Sequence, residues 1–502
     1  MTLTPDVPTL DHYRPRLHYT PARNWMNDPN GLVYHQGLYH LFYQHNPFGS
    51  TWGNMSWGHA TSADLLAWTE QPVAIPCDNE EAIFSGSVVV DTHNSSGLGD
   101  GTTPAMVAIY TSAFTEESAR PGIQAQSLAY SLDEGRTWTK YPGNPVLDRG
   151  SANFRDPKVF WHGDAAGGYW VMAAVEAKEQ RVLLYRSADL IAWDFLSDFT
   201  LEDAGPGEWE CPDLFELPID GDPENTAWVL ILSTNPGGIA GGSGTRYFIG
   251  NFDGVRFAEE PSTQHKDSRW LDGPWLDWGR DYYAAVSFSG LPHRRIMMGW
   301  MSNWEYAATT PTGDWRSAMA LPREVTLRSV NGRTRLVQAP IAPRVTETAN
   351  AADAPGAAPA SDNTLIATVQ RSNACRVRLS GPAPKRGTLG LNFRTDDGDS
   401  ATIVLDLTAG ELRFDRTRSG LVDFHTTFPS IEHAPLDLTN ERITLEVYID
   451  ACSLEVFAQG GLTTLTNLVF PRGEDLEISF FSDTKVDLEE LEVALLAESR
   501  QP

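Results

Sequence analysis

The chain has 502 residues, with 38 basic and 66 acidic side chains and a formal net charge of −28. Such a surface excludes nucleic acid and anionic membrane as partners, since both are bound through Lys and Arg that neutralise phosphates; a neutral small molecule or glycan fits better. Hydrophobic residues make up 41% and aromatics 10%, enough for a large core spread over about two to three domains.

The N-terminal stretch MTLTPDVPTLDHYRP has neither the basic nor the apolar region of a secretory signal. No apolar run approaches the ~20 residues of a membrane-spanning helix. The chain therefore reads as cytoplasmic as it stands, or as secreted if a leader has been removed. At residues 25–31 comes WMNDPNG, in which Asp28-Pro29-Asn30-Gly31 reads as a tight turn. LVYHQGLYHLFYQ follows, two strands joined at Gln36-Gly37. A turn does not need Trp25, Met26 and Asn27 beside it, so this stretch is a candidate site.

Next comes a repeat. SADLLAW at 62–68 returns as SADLIAW at 187–193, with SLDEGRTW at 131–138 between them and a looser NFDGVRF from 251. The starting points differ by 69, 56 and 64 residues. Repeats of several short strands at this spacing predict β-propeller blades, about five over the first ~340 residues. Taken alone, these elements are strand–turn–strand corners and speak to architecture. All 16 Trp lie between Trp25 and Trp315. Residues 346–363, TETANAADAPGAAPASDN, read as a linker. Beyond it, ATIVLDLTAGELRFDR and ERITLEVYIDACSLEVFAQGG alternate apolar and polar residues between turns, which predicts a β-sandwich over 364–502 after a propeller over 1–345. The fold class is all-β.

Three of the predicted blades open alike. NDPNGLVYHQGLYHLFYQ, RDPKVFWHGDAAGGYWVMAAV from Arg155 and ECPDLFELPIDGDPENTAWVLILST from Glu210 each pair a carboxylate with Pro and then run strand, turn, strand. The first strand of a propeller blade lines the central channel. Asp28, Asp156 and Glu210, with Asp213 near it, are therefore expected to converge there. Each acid alone could merely cap a turn through its own backbone. Converging carboxylates repel and raise at least one pKa, and a protonated carboxyl beside an ionised one is what glycoside cleavage requires. Trp25, Trp52, Trp57, Trp209, Trp300, Trp304 and Trp315 stand in or beside these turn-rich motifs and could stack on sugar rings, although Trp is as often a core residue. Asn27, Gln44, Ser85 and Arg155 are polar partners close by. Cys77, Cys211, Cys375 and Cys452 are far apart, which argues against a disulfide scaffold or zinc site. His40 and His59 read as ordinary polar or core residues, and no metal or cofactor is predicted.

WMNDPNG, FSGS (84–87), RDP (155–157) and ECPDLF (210–215) together resemble the motif set of glycoside hydrolase family 32. WGNMSWGHATSADLLAW, WRSAMALPRE (315–324) and LEVF (454–457) extend the resemblance over nearly the whole chain. It implies a five-bladed propeller followed by a β-sandwich, and a retaining β-fructosidase acting on terminal fructofuranosides of levan, inulin, fructo-oligosaccharides and sucrose. It implies Asp28 as nucleophile, Glu210 as acid/base and Asp156 as transition-state stabiliser. Asn27, Gln44, Trp52, Phe84, Ser85, Arg155 and Trp315 would shape the fructose subsite, and Cys211 would tune the acid. A retaining mechanism sets the Asp28 and Glu210 carboxyls about 5–5.5 Å apart. SNWEYAATTPTGDWRSAM (302–319) is most similar to exo-acting levanases and inulinases. A fructosyltransferase of the same family and a non-catalytic glycan-binding propeller are the alternatives. A sialidase, suggested by the Ser-x-Asp-x-Gly-x-x-Trp turn, would need an arginine cluster near the motifs, and none is found. Monomer or homodimer is left open.

Overall fold

The computed structural model describes residues 12–164, 167–202, 204–260, 275–348 and 364–498. These contain no α-helix; apart from short 3-10 turns at Ala307–Thr309 and Gln459–Gly461 the regular structure is strand, arranged as an N-terminal propeller and a C-terminal sandwich. Strands β1 (Asn24–His35), β2 (Leu38–Asn46), β3 (Ser56–Ser62) and β4 (Thr69–Ile75) form an antiparallel meander. So do β5 (Glu81–Asp91), β6 (Ala105–Phe114), β7 (Gln124–Ser131) and β8 (Thr139–Lys140), and then β9 (Phe154–Asp164), β10 (Gly167–Glu176), β11 (Arg181–Ser187) and β12 (Asp194–Phe199). A fourth run is β13 (Glu208–Ile219), β14 (Asp222–Asn235), β15 (Gly244–Phe252) and β16 (Phe257–Glu259). The rest comprises β17 (Tyr283–Ser287), β18 (Ile296–Met301), β19 (Trp315–Arg316), β20 (Ala318–Met319), β21 (Arg323–Val330) and β22 (Arg333–Pro340).

The five blades expected from the repeat are not drawn as five separate sheets. A single parallel pair, Ile219 with Leu327, joins β13–β16 to the last strands in one nine-stranded sheet. The ring closes where β19 pairs in parallel with β1, Asn24 opposite Trp315. Middle strands such as β10 carry an unbroken buried run, Trp170 to Glu176, whereas the outer β4 is mostly exposed. This is the pattern of strands sandwiched between neighbouring sheets as against strands at a rim.

The repeated heptads occupy one structural position, the corner between third and fourth strands. Asp64 accepts from the amides of Leu66 and Ala67, Asp189 from Ile191 and Ala192, Asp133 from Thr137, and Asp253 from Val255 and Arg256. The next residue, Leu65, Leu190, Glu134 or Gly254, is left-handed each time. Trp68, Trp193 and Trp138 close three of the corners by donating their indole N–H to the carbonyl three residues back.

The sandwich packs two six-stranded sheets whose strands alternate buried and half-buried positions, as in Ser400–Asp406. Residues Val345–Thr348 pair with Glu490–Leu496 and so belong to it. The first three residues of the predicted linker are therefore strand, because their backbone finds a free sheet edge; 349–363 lie outside the described residues, as do 1–11. Propeller and sandwich meet through buried charge. Arg323 pairs with Asp277 (2.9 Å) and with Glu455 of the sandwich (2.7 Å), His18 bridges Asp450 and Glu455 (2.8 Å each), and Arg416 pairs with Asp281 (2.6 Å).

Candidate active site

The expected tight turn at Asp28–Gly31 is instead the interior of β1. Register shifts fall between Met26 and Pro29 and between Asn30 and Val33, so these residues form bulges within a continuous strand. Pro29 has no N–H for a ladder and Gly31 sits at φ 53°, which breaks the ladder without ending the strand. The hairpin at Gln36-Gly37 forms as expected, with both residues left-handed.

The same device recurs on the first strand of every unit. Register shifts lie between Phe84 and Gly86 on β5, opposite Arg155 to Lys158 on β9, between Glu210 and Asp213 on β13, and between Tyr283 and Val286 on β17. A bulge interrupts pairing and re-aims side chains. Asp156, Cys211 and Ala284 are the left-handed bulge residues of β9, β13 and β17, at φ 63°, 48° and 52°. The expected register of the acids is therefore off by one at Glu210. Cys211 takes the place of Asp156 on β13, and Glu210 stands where β9 has Arg155 and β17 has Tyr283. The Cys-Pro pair, not a carboxylate, marks the equivalent of Asp-Pro.

These bulges bring the acids and their hydrogen-bond donors together. Asp28 accepts from Ser85 Oγ (2.7 Å), Asn27 Nδ2 (3.0 Å) and the Cys211 thiol (3.5 Å). Asp156 Oδ2 accepts from the Cys211 amide at 3.0 Å, and the thiol lies 3.7 Å from the same oxygen. Arg155 donates to Glu210 Oε1 through Nε (3.0 Å) and Nη2 (2.9 Å), and also to Glu208. The Tyr283 hydroxyl donates to Glu210 Oε2. Asp28 and Asp156 are buried. Burial, and then the charge of Glu210, raises the Asp28 carboxyl above its usual range, against the Ser85 and Asn27 bonds. The same two causes push Asp156 up to about 7, with Arg155 opposing. Burial among these acids also raises the Cys211 thiol and the Tyr283 phenol well above their ordinary values, so both are neutral donors.

The other predicted residues stand beside these groups, behind them, at a solvent-open wall or away in the core. Asn27 also accepts from Trp25 Nε1 at 2.7 Å, which fixes its amide. Gln44 stands behind the acids. It donates to the Ile83 carbonyl at 3.0 Å and, with the Asn30 amide set to accept from it at 2.9 Å, Asn30 donates to Ser85 Oγ at 3.2 Å. Trp52 is 51% exposed and stands edge-on to Phe84 at 5.9 Å, an aromatic wall open to solvent. Trp315 is buried with Arg14 over its ring, and its hydrogen bonds and ring contacts do not link it to the acids. Trp25, Trp57, Trp209 and Trp300 are buried core residues; Trp304 stacks on Trp25 at 5.9 Å. Asp213 turns away, paired with Lys158 at 3.2 Å. His40 and His59 are buried and bonded to each other at 3.1 Å. Among the described residues no group of three or more His, Cys, Asp or Glu is arranged to hold a metal ion.

Two participants escaped the sequence. Tyr283 lies in DYYAAV, which has neither carboxylate nor Pro at its bulge; its place as the head of another first strand was the available signal. Thr111 accepts from the Asp156 amide at 3.0 Å and donates to Gln126, a contact between neighbouring units that no local pattern announces.

A propeller whose inner strands present two desolvated aspartates and an arginine-held glutamate to one point has the chemistry of a glycosidase. Residues 18–340 match the glycosyl hydrolases family 32 N-terminal domain and residues 342–494 the family 32 C-terminal domain; the chain belongs to glycosyl hydrolase family 32. It is 43% identical over 472 residues to a levanase of Bacillus subtilis (strain 168), covering 92% of this chain and 67% of the levanase. It is 40% identical over 529 residues to an extracellular exo-inulinase of Aspergillus ficuum, covering 95% and 94%. Among solved structures, exo-inulinase from Aspergillus awamori superposes with a TM-score of 0.87 at 36% identity, covering 97% of this chain and 99% of that one. Fructofuranosidase from Schwanniomyces occidentalis, complexed with fructose, superposes with a TM-score of 0.86 at 32% identity, covering 98% and 99%.

Proposed function

We propose that this chain is an exo-acting, retaining β-fructosidase that releases terminal fructosyl units from fructans, fructo-oligosaccharides and sucrose. The observation that carries the reading is the linkage of three acids through Cys211: it follows Glu210 directly, its thiol reaches Asp28, and its amide holds Asp156. In the first step Asp28 attacks the anomeric carbon, the bond to the leaving oxygen breaks, and Glu210 gives that oxygen its proton. In the second, Glu210 takes a proton from water, the water oxygen attacks the same carbon, and Asp28 departs as carboxylate. Two displacements at one carbon restore the original face. Three donors hold Asp28 in place for attack. Asp156 has one oxygen fixed by the Cys211 amide; its other oxygen has no protein donor among the described residues and is free for a fructosyl hydroxyl. Arg155 can only donate to Glu210, whereas the Tyr283 hydroxyl can donate or accept and so serves Glu210 in either protonation state.

The levanase and exo-inulinase relatives support fructans as substrates and attack at the chain end, and the relatives described as extracellular support a secreted setting. Chromatography of early products from levan and inulin tests the reading. Free fructose should appear first, and NMR of fresh product should show the β anomer. Oligosaccharides appearing before fructose would overturn exo action, and longer fructans as the main product would move the activity to transfer.

A further inference from the structure

Beyond the acids, β9 and β13 run on to the far mouth of the propeller, where a cavity of about 830 Å³ opens between their units. Its lining starts at Lys158 and Asp213, three residues beyond Arg155 and Glu210, roughly 10 Å of extended chain, and includes none of Asp28, Asp156 and Glu210. Its floor holds Lys158, Asp213 and Arg295. Lys158 pairs with Asp213 at 3.2 Å, and the Ser287 amide donates to the same Asp213 oxygen at 2.6 Å. The other oxygen of Asp213 is buried with no hydrogen-bond partner among the described residues. Arg295 has no carboxylate within ion-pairing distance among the described residues; its guanidinium lies over the Phe215 ring at 4.8 Å, its Nε is buried, and Nη1 makes only long contacts to Ser287 Oγ (3.4 Å) and the Phe288 carbonyl (3.5 Å).

The walls are aromatic. Trp161, His162 and Tyr169 are half-buried, and Trp161 also borders an adjoining cavity of about 850 Å³ that shares Arg295. Trp161 is held by an edge contact to Trp170 at 5.1 Å, and its ring lies where a side chain at Gly168 would stand. The exposed amide of Asn251 completes the rim.

An exposed carboxylate at Glu216, a guanidinium at Arg295 and aromatic faces in a cleft of this size fit one ligand chemistry. A sugar hydroxyl donates and accepts at once and so suits the exposed Glu216 carboxylate and the Arg295 guanidinium of this lining, while the ring stacks on the indole. A simple anion would answer Arg295 but meet Asp213 and Glu216, whose two charges offset those of Lys158 and Arg295 in the same lining. We propose that this cavity is a second, non-catalytic binding site for a neutral sugar, a fructosyl unit of the polymer whose end is cut at the opposite mouth. The identity of the sugar rests on the fructosidase reading; the site itself does not.

The test is electrophoresis of the full chain through native gels containing levan, in a Glu210→Gln background so that the polymer survives. Trp161→Ala, Arg295→Gln and Asn251→Ala should each weaken retardation, the first two by about tenfold in apparent Kd. In the Glu210 background the same substitutions should leave kcat/KM on sucrose unchanged. Asn251 is exposed, so its variant reads out even if Trp161→Ala fails to fold. Unaltered retardation in the folded variants would overturn the site, and equal retardation by an amylose gel would overturn the fructosyl assignment. A wild-type chain that cleaved no fructoside would remove the proposed function instead, while gel retardation would still report on the cavity.

Discussion

Asp28 and Glu210 should fail differently when their charge is removed. With Asp28 as the proposed nucleophile, Asp28→Asn should reduce kcat by about 10⁴-fold or more on every fructoside. Glu210→Gln should cost about 10²- to 10⁴-fold on sucrose and far less in the first step on a substrate with a good leaving group, which needs little protonation. Equal losses on both substrates would contradict the division of roles. Asp156 carries a further consequence. Its carboxyl rises from an ordinary 3.8 to about 7, mainly through burial and then through Glu210, so the folded chain binds a proton there that the unfolded chain releases. This group's contribution to stability is therefore greatest below about pH 4 and declines as pH rises through 7. Asp156→Asn should remove that decline and raise Tm at pH 7.5 by about 2 °C, while turnover collapses. Calorimetry of the two proteins at several pH values measures this; a lower Tm for the variant would mean that the Cys211 and Arg155 interactions outweigh desolvation.

The inner strands show which features a sequence carries openly. The Asp-Gly-Trp corners were legible because near-identical letters do the same hydrogen bonding each time, with Asp accepting from the amides beyond it. Asp28 and Asp156 were legible because Pro beside a carboxylate announces a broken ladder. The displacement of Glu210 by one position was not, because a bulge adds a residue without changing the letters around it; Tyr283 was hidden for a related reason, since its bulge is made of two alanines. The strand character of Asp28–Gly31 was hidden too, because turn residues and bulge residues are the same residues. Gly31 tests this element directly. It is left-handed, and a Cβ there would lie 2.8 Å from Phe42 and from Val88. Gly31→Ala should cost about 1–3 kcal/mol and lower kcat by shifting Asp28. Urea denaturation and steady-state kinetics together check it; a variant as stable and as active as wild type would show that the second bulge does not position the nucleophile.

Propeller and sandwich are locked by charges that neither could bury alone. Burial acts to lower the His18 pKa, but Asp450 and Glu455 on either side raise it to about 9. Burial acts to raise Glu455, but Arg323 and then His18 hold it at about 2. The stabilisation from His18 is complete below about 6.5, its ordinary value, and is lost as pH rises through 9. That from Glu455 is complete above about 4.5 and is lost as pH falls toward 2. Both are present from about pH 4.5 to 6.5, where this network contributes most. His18→Gln should flatten the fall in Tm between pH 6.5 and 9 and lower Tm at pH 6, by thermal melts followed in parallel with wild type. An unchanged alkaline slope would place the pH sensitivity elsewhere. Much of this junction was out of reach of the sequence, since Arg323, Asp277 and Glu455 are far apart in the chain and match no local pattern.

The most direct test of the double displacement is to catch its intermediate. Glu210→Gln given a fructoside with a good leaving group should form the fructosyl-enzyme faster than water can release it. Peptide mass spectrometry after a rapid acid quench should then find one added fructosyl group on the peptide carrying Asp28, and on no other. A fructosyl group on Asp156, or a product of inverted configuration with no adduct at all, would contradict the account.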